Sequence, residues 1–255
     1  TDVDDDRDRH LDTTVPVDAQ SVEQVQTILA ERFPLIAAEE VESLPATLKN
    51  PLGKGYRTIV FVAEGQRRVV QGFALLCHFS DLRFCYLDYL SVSLLHGGRG
   101  VGSALYERVR EEARALGDTS LFFECLPDDP ALCRDPELLR ENVARLRFYE
   151  RYGARPVVNT AYETPLSPED DCAPYLVADP LDRHFRLTRD RARHVIRAVL
   201  ERKYRGKCSP RYVQMVLDSI PAGPLILRDF RYVRDAFPVR PSAISASTSS
   251  QEATW

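Results

Sequence analysis

Three observations predict an α/β fold, a sheet flanked by helices with a small basic helical extension toward the C-terminus. Strand-like and helix-like segments alternate along the chain before residue 181. An apolar strand, Phe84 to Ser93, runs into a glycine cluster that opens an amphipathic helix. Charge is unevenly divided: from Leu181 to Arg240 fifteen Lys and Arg stand against six Asp and Glu, although the whole chain carries −4. An acidic body is thus followed by a basic region.

The elements follow in order. Ser21-Val22-Glu23-Gln24, with Val25, Ile28, Leu29 and Phe33 behind it, has the pattern of a capped helix with one apolar face. A second helix is expected over Leu35 to Leu48. Arg57–Ala63, a Glu64-Gly65-Gln66 turn and Val69–Phe79 read as a hairpin, with Phe84–Ser93 as the next strand. After the glycines, Val101, Leu105, Val109, Ala113 and Leu116 share a helical face that stops at Gly117. Thr119–Cys125 is an apolar strand, Pro136–Tyr152 a helix and Pro156–Glu163 a strand. In the basic region Thr188–Tyr204 and Ser209–Ile220 read as two helices, the second with Ser209 as cap and Pro210 in its first turn. Residues 1–14, rich in Asp, and 241–255, rich in Ser, Thr and Ala, are expected to be disordered.

Composition sets limits on function. A 255-residue chain with 44% hydrophobic and 28% charged residues can bury one substantial core plus an appendage. No apolar run approaches the ~20 residues of a membrane span, and the acidic start lacks the order of a secretory signal. The default expectation is a cytoplasmic protein. Six cysteines, Cys77, Cys85, Cys125, Cys133, Cys172 and Cys208, form no C-x-x-C pair and read as reduced thiols rather than a disulfide or zinc framework. His10, His78, His184 and His194 have no metal-ligand spacing, and His96 reads as a solvated loop residue, so no metal is expected.

Four of the twelve glycines lie in Gly97-Gly98-Arg99-Gly100-Val101-Gly102. Successive N–H groups from Gly98 to Gly102, at a helix N-terminus, can converge on an anion. A Walker loop is excluded because no Lys precedes Ser103, and a dinucleotide fingerprint because its third glycine falls on Ser103. What remains resembles motif A of the GNAT superfamily of N-acetyltransferases, Arg/Gln-x-x-Gly-x-Gly/Ala, with Gly97 where the family usually has Arg or Gln and Leu94 in place of a frequent Pro. Downstream, Asn142-Val143-Ala144-Arg145-Leu146-Arg147-Phe148-Tyr149-Glu150-Arg151-Tyr152-Gly153-Ala154 resembles the same family's Asn-x-x-Ala-x-x-Leu-Tyr-x-x-x-Gly-Phe helix. Asn142, Phe148, Tyr149 and Gly153 keep register; Arg145 and Ala154 depart from it.

The resemblance spans about Val15 to Pro180, the expected domain of residues 15–180, with 181–240 as its extension. It implies a mixed, splayed sheet and acetyl-CoA as co-substrate, with the diphosphate on Gly97, Gly98, Arg99, Gly100, Val101, Gly102 and Ser103. Asn142 belongs to the implied cofactor site, and the pantetheine arm is expected along the Leu90 and Val92 main chain. It implies Tyr149 as the acid that protonates the leaving thiolate. Phe122-Phe123-Glu124-Cys125 resembles the strand end that carries the base in ribosomal-protein acetyltransferases of this family, making Glu124 the first candidate base. Asp88, an acidic residue within an apolar strand, is the alternative; it is equally readable as a buried hydrogen-bonding partner. By period-two alternation it should share a face with Leu90 and Val92. The resemblance implies direct attack in a ternary complex with no covalent intermediate; Cys125 leaves a ping-pong route formally open, but nothing in the sequence pairs it with a base.

The expected acceptor is a primary amine of a small molecule or peptide: a polyamine, an amino acid or lysine. A cationic one would be drawn by Asp128, Asp129, Glu163, Glu169, Asp170 and Asp171 if those loops rim the mouth; a solvated acidic loop is the plainer reading. The basic helices are expected to dock on the acidic body or on a second copy. Alternatively their arginines reach the cofactor's 3′-phosphate. Aromatic residues among them are few, Tyr204 and Tyr212 chiefly, which argues against a nucleic-acid surface. The competing function class is a non-catalytic acyl-CoA sensor whose basic hairpin engages a macromolecule.

Overall fold

The computed structural model describes residues 7–11, 18–50, 53–95, 100–118, 120–166, 172–182 and 185–233. In chain order these form β1 (Arg7–Leu11), α1 (Ala19–Arg32), α2 (Ala38–Glu42), α3 (Leu44–Lys49), β2 (Arg57–Glu64), β3 (Val70–Phe79), β4 (Phe84–Val92), α4 (Val101–Ala115), β5 (Ser120–Cys125), α5 (Pro136–Glu150), β6 (Arg155–Val158), β7 (Tyr175–Pro180), α6 (Arg189–Ala198) continued by a π-helical turn at Val199–Lys203, α7 (Pro210–Asp218) and β8 (Ile226–Leu227). The strands make one open sheet in the order β1-β2-β3-β4-β5-β7-β6-β8. Among the described strands only β4 and β5 run parallel, because α4 crosses over between them; the other neighbours are antiparallel.

Alternation along the strands sends side chains into two cores. On one face Val60, Phe73, Leu75, Phe84, Tyr86 and Phe122 pack against α1, α3 and the C-terminal helices, through Val25, Leu29, Leu48, Val195, Val199 and Val216. On the other, Phe61, Leu76, Leu87, Leu121 and Phe123 pack against α4 and α5, through Leu105, Val109, Leu146 and Tyr149. The C-terminal helices therefore cover the same sheet as the body. Ion pairs fasten them: Arg202 to Asp81 at 2.7 Å and Lys207 to Glu40 at 3.4 Å. Thr188 and Ser209 cap α6 and α7, and Asp135 caps α5, with Pro136 in its first turn. α4 meets the sheet closely at Gly72, where an added Cβ would lie 2.8 Å from the Ser91 carbonyl oxygen and 3.1 Å from Val101.

Several expectations give way. Arg7–Leu11, within the stretch expected to be disordered, forms β1 against β2; pairing there uses backbone groups and needs no apolar pattern. Leu35–Leu48 is two short helices broken at Ser43, with Pro45 in the first turn of the second. α1 begins at Ala19 on the Asp18 cap, and Ser21 instead donates its hydroxyl hydrogen to Glu64 at 2.8 Å. The strand expected over Pro156–Glu163 stops at Val158 because Asn159 takes a left-handed conformation, φ 64°. No described helix is long and apolar enough to cross a membrane. The tail 241–255 lies outside the described residues.

Candidate active site

β4 and β5 stay together for only three pairs, Cys85–Leu87 against Leu121–Phe123. Beyond Leu87, β4 follows β3 as far as Val92, while β5 follows β7 to Cys125, and a gap opens between them. Its cause is a bulge: Leu76 faces Leu87 and Leu75 faces Tyr89, leaving Asp88 as the extra residue. The bulge also corrects the expected parity. Leu90 and Val92 pack on the α4 side, whereas Tyr89 packs on the opposite core and Asp88 joins Lys203, from the π-turn covering that core. Alternation fails where one strand carries a residue its partner lacks.

On the α4 side, Gly100 caps the helix at φ 93°, and Val101, Gly102 and Ser103 supply its first-turn N–H groups. A Cβ on Gly102 would lie 3.7 Å from Val92, so this turn rests on the end of β4. Gly97, Gly98, Arg99 and His96 lie outside the described residues. Tyr149 is 6% exposed, and its ring packs 4.4 Å, centroid to centroid, from Phe123, the last β5 residue paired with β4. Burial raises its pKa, so the phenol keeps its proton. Asn142 is fully buried and donates to the Pro127 carbonyl at 2.9 Å; its Oδ1 has no partner among the described residues. In this structure it holds the loop before α5.

Across the gap, Glu124 sits on the face covered by the C-terminal helices. The hydroxyls of Tyr162 and Tyr204 donate to its two oxygens, each at 2.5 Å. Burial raises its pKa and these two bonds oppose the rise. Asp88 is raised by burial against the pull of Lys203, 3.0 Å away. Burial works against the Lys203 ammonium, yet Asp88 together with Tyr204, Cys77 and Tyr89 outweighs it and holds its pKa well above normal. Glu40 accepts from Tyr89 at 3.1 Å and faces Lys203 at 3.8 Å and Lys207 at 3.4 Å. A cavity of about 520 Å³ reaches Asp88, Glu40 and Lys203; a second of about 290 Å³ reaches Glu124, Tyr162 and Tyr204.

Residues 56–153, which include the β3–β4 meander, the gap, α4 and Tyr149, match the model of the acetyltransferase (GNAT) domain family. Over this stretch the chain is similar to the GNAT acetyltransferase domain. No curated protein matches it by sequence. A crystal structure of an aminoglycoside 6′-N-acetyltransferase complexed with coenzyme A is similar at TM-score 0.51 and 15% identity, over 70% of this chain and 99% of that one, which is a likeness of fold. The Enterococcus faecium aminoglycoside 6′-N-acetyltransferase (TM-score 0.48, 16% identity, 70% and 99% covered) and Tetrahymena GCN5 (0.49, 11%, 70% and 98%) are also among the matches.

Two sequence expectations are corrected. Asp128 is no free attractor for a cationic acceptor: it is buried, bound by Arg228 through two bonds of 2.7 and 3.0 Å and by the Tyr232 hydroxyl at 2.5 Å. The segment after β8 folds back onto it, a contact a hundred residues distant in sequence. Cys133 and Cys172 form a disulfide, although reduced thiols were expected; the two loops that carry them meet only in the tertiary structure. Glu169, Asp170 and Asp171 lie outside the described residues, as do most of residues 1–14. No group of three or more potential metal ligands occurs among the described residues. The residues the sequence did not single out for the site are Tyr162, Lys203 and Glu40, and Tyr204 entered only as an aromatic on a basic surface. The one signal for Tyr204 and Lys203 was the apolar face of Val195, Ile196, Val199 and Leu200, which required that helix to pack on something.

Proposed function

We propose that this chain is an acetyl-CoA-dependent N-acetyltransferase acting by direct attack in a ternary complex. The observation that carries the reading is the gap between β4 and β5. It has the glycine-capped start of α4 at one end, Tyr149 on the α5 side and Glu124 on the other. The unpaired β4 edge from Asp88 to Val92 can accept and donate to the amides of a pantetheine arm, and the first-turn N–H groups of α4 suit its diphosphate.

Acetyl transfer then needs three proton movements. Glu124 takes a proton from the acceptor ammonium, freeing the amine lone pair, and later returns it to solvent. The amine attacks the thioester carbonyl, a C–N bond forms and the C–S bond breaks. Tyr149, kept protonated by burial, gives its proton to the departing thiolate and is restored by the second nitrogen proton, released as the amide forms. Asp88 is committed to Lys203 and serves better to fix the C-terminal cover than as a base. The test is free-thiol release from acetyl-CoA with an amine panel. Glu124→Gln and Tyr149→Phe are each expected to lower kcat by about 10²-fold or more with acetyl-CoA binding retained. Tight binding with no release from any amine returns the sensor reading.

A further inference from the structure

We infer that the acceptor enters the 290 Å³ cavity over Glu124, and that it is a small amine with a single positive charge on an apolar or aryl body. The inference rests on the acetyl-transfer reading and names the substrate class for the same site. Glu124 is the only charged residue among the described residues lining this cavity, whose walls include Leu200, Pro174, Tyr162, Tyr204 and Tyr212. Its carboxylate is held by two neutral phenols. No cationic side chain lining the cavity pairs with it, and both oxygens keep lone pairs for an ammonium.

The phenol hydroxyls are all engaged, that of Tyr212 by the Thr164 carbonyl at 2.8 Å. Their rings are thereby fixed as apolar walls for an aryl or alkyl body and as π-faces for the cation. The volume, about 290 Å³, falls just below the range of about 300–1,000 Å³ common for small-molecule sites, which suits a small acceptor.

The larger cavity is a poorer place for an amine. It shares no lining residue with the smaller one, and five cationic side chains, Lys54, Arg202, Lys203, Arg205 and Lys207, outnumber its carboxylates Glu39, Glu40 and Asp88, of which Asp88 and Glu40 already hold Lys203 and Lys207. A second ammonium in the smaller cavity would lose its hydration without gaining a counter-charge, and the carboxylate of an amino acid would face Glu124. Lys203, 5.0 Å from the Tyr204 ring, adds repulsion to any dication. Polyamines, free amino acids and aminoglycosides are thus disfavoured.

The experiment compares 2-phenylethylamine and hexylamine with spermidine, lysine and kanamycin by thiol release from acetyl-CoA, and by calorimetric binding in the presence of coenzyme A. The expected result is kcat/KM about tenfold or more higher for the monoamines. Two cavity-filling variants should abolish that preference: Cys208→Phe, and Leu166→Trp at a 54% exposed rim position that leaves folding undisturbed. Preference for a dication, amino acid or aminoglycoside overturns the inference and leaves acetyl transfer standing. If no amine releases thiol, the transfer reading fails and binding decides. Monoamine binding that Leu166→Trp weakens keeps the cavity assignment, and its absence from the unmodified protein overturns it.

Discussion

Replacing Lys203 by Met would leave Asp88 without its counter-charge in a nearly closed site. The two side chains are 7% and 12% exposed, with Nζ and Oδ1 3.0 Å apart. Removing one member of such a pair costs about 3–5 kcal/mol, because the remaining charge keeps its desolvation penalty. For a chain of this size that is a fall in Tm of roughly 6–20 °C. The loss has a pH signature. The folded Asp88 carboxyl already lies above its usual range, and without Lys203 it rises further, while the unfolded one titrates near about 4. The variant's folded state therefore holds a proton the unfolded state lacks across that window. Its deficit is small near about pH 4 and complete above the raised pKa. Glu40, Lys207 and Tyr89, which share the cluster, set where the window ends. Urea unfolding of the single variants and of Asp88→Asn/Lys203→Met across pH measures this, and the double variant should recover most of the loss. A cost under about 1 kcal/mol that does not change with pH would refute the reasoning.

Three further outcomes are expected. Replacing Cys133 and Cys172 by Ala opens a loop with a sequence separation of 39 residues and should lower stability by roughly 4 kcal/mol on the loop-entropy estimate; an unchanged urea midpoint under non-reducing conditions would contradict the bond. Asp128→Ala strips the partner from Arg228 and Tyr232 and should cost about 3 kcal/mol while leaving KM for an amine unchanged, so a raised KM with normal stability would restore Asp128 to the acceptor site. Asp118 is buried, meets the Cys85 thiol and lies 3.7 Å from His78. Burial raises its pKa, so its contribution is complete below about pH 4 and lost as pH rises through the folded value. Asp118→Asn should accordingly gain in Tm relative to the unmodified protein as pH rises, and a difference constant with pH would count against this.

The middle of the fold was legible because its signals are local. The β2–β3 hairpin, β4, α4 and α5 each carry their own periodicity, cap or glycine, and the two motifs around Gly100 and Tyr149 lie within single elements. The rest depends on partners far away in sequence. β7 follows a polar loop, β8 has two residues, and β1 is held by the open edge of β2, so none announces itself by pattern. The bulge at Asp88 is invisible to a period-two reading, which put Asp88 on the wrong face. Lys203 and Tyr204 looked like part of a basic helix surface; a π-turn after Ala198 helps place them, one over Asp88 and the other on Glu124. Asp128 and Cys133 looked solvated because Arg228 and Cys172 were nowhere near them in the chain.

The most direct test of the account is a structure of the protein with acetyl-CoA bound. The pantetheine arm should lie in the β4–β5 gap, with its amides on the main chain between Asp88 and Val92 and the diphosphate at the first turn of α4. The sulfur should then lie within hydrogen-bonding reach of the Tyr149 hydroxyl, and the thioester carbon should be accessible from the Glu124 cavity. A cofactor bound elsewhere, or a gap closed by further pairing of β5 with β4, would contradict it.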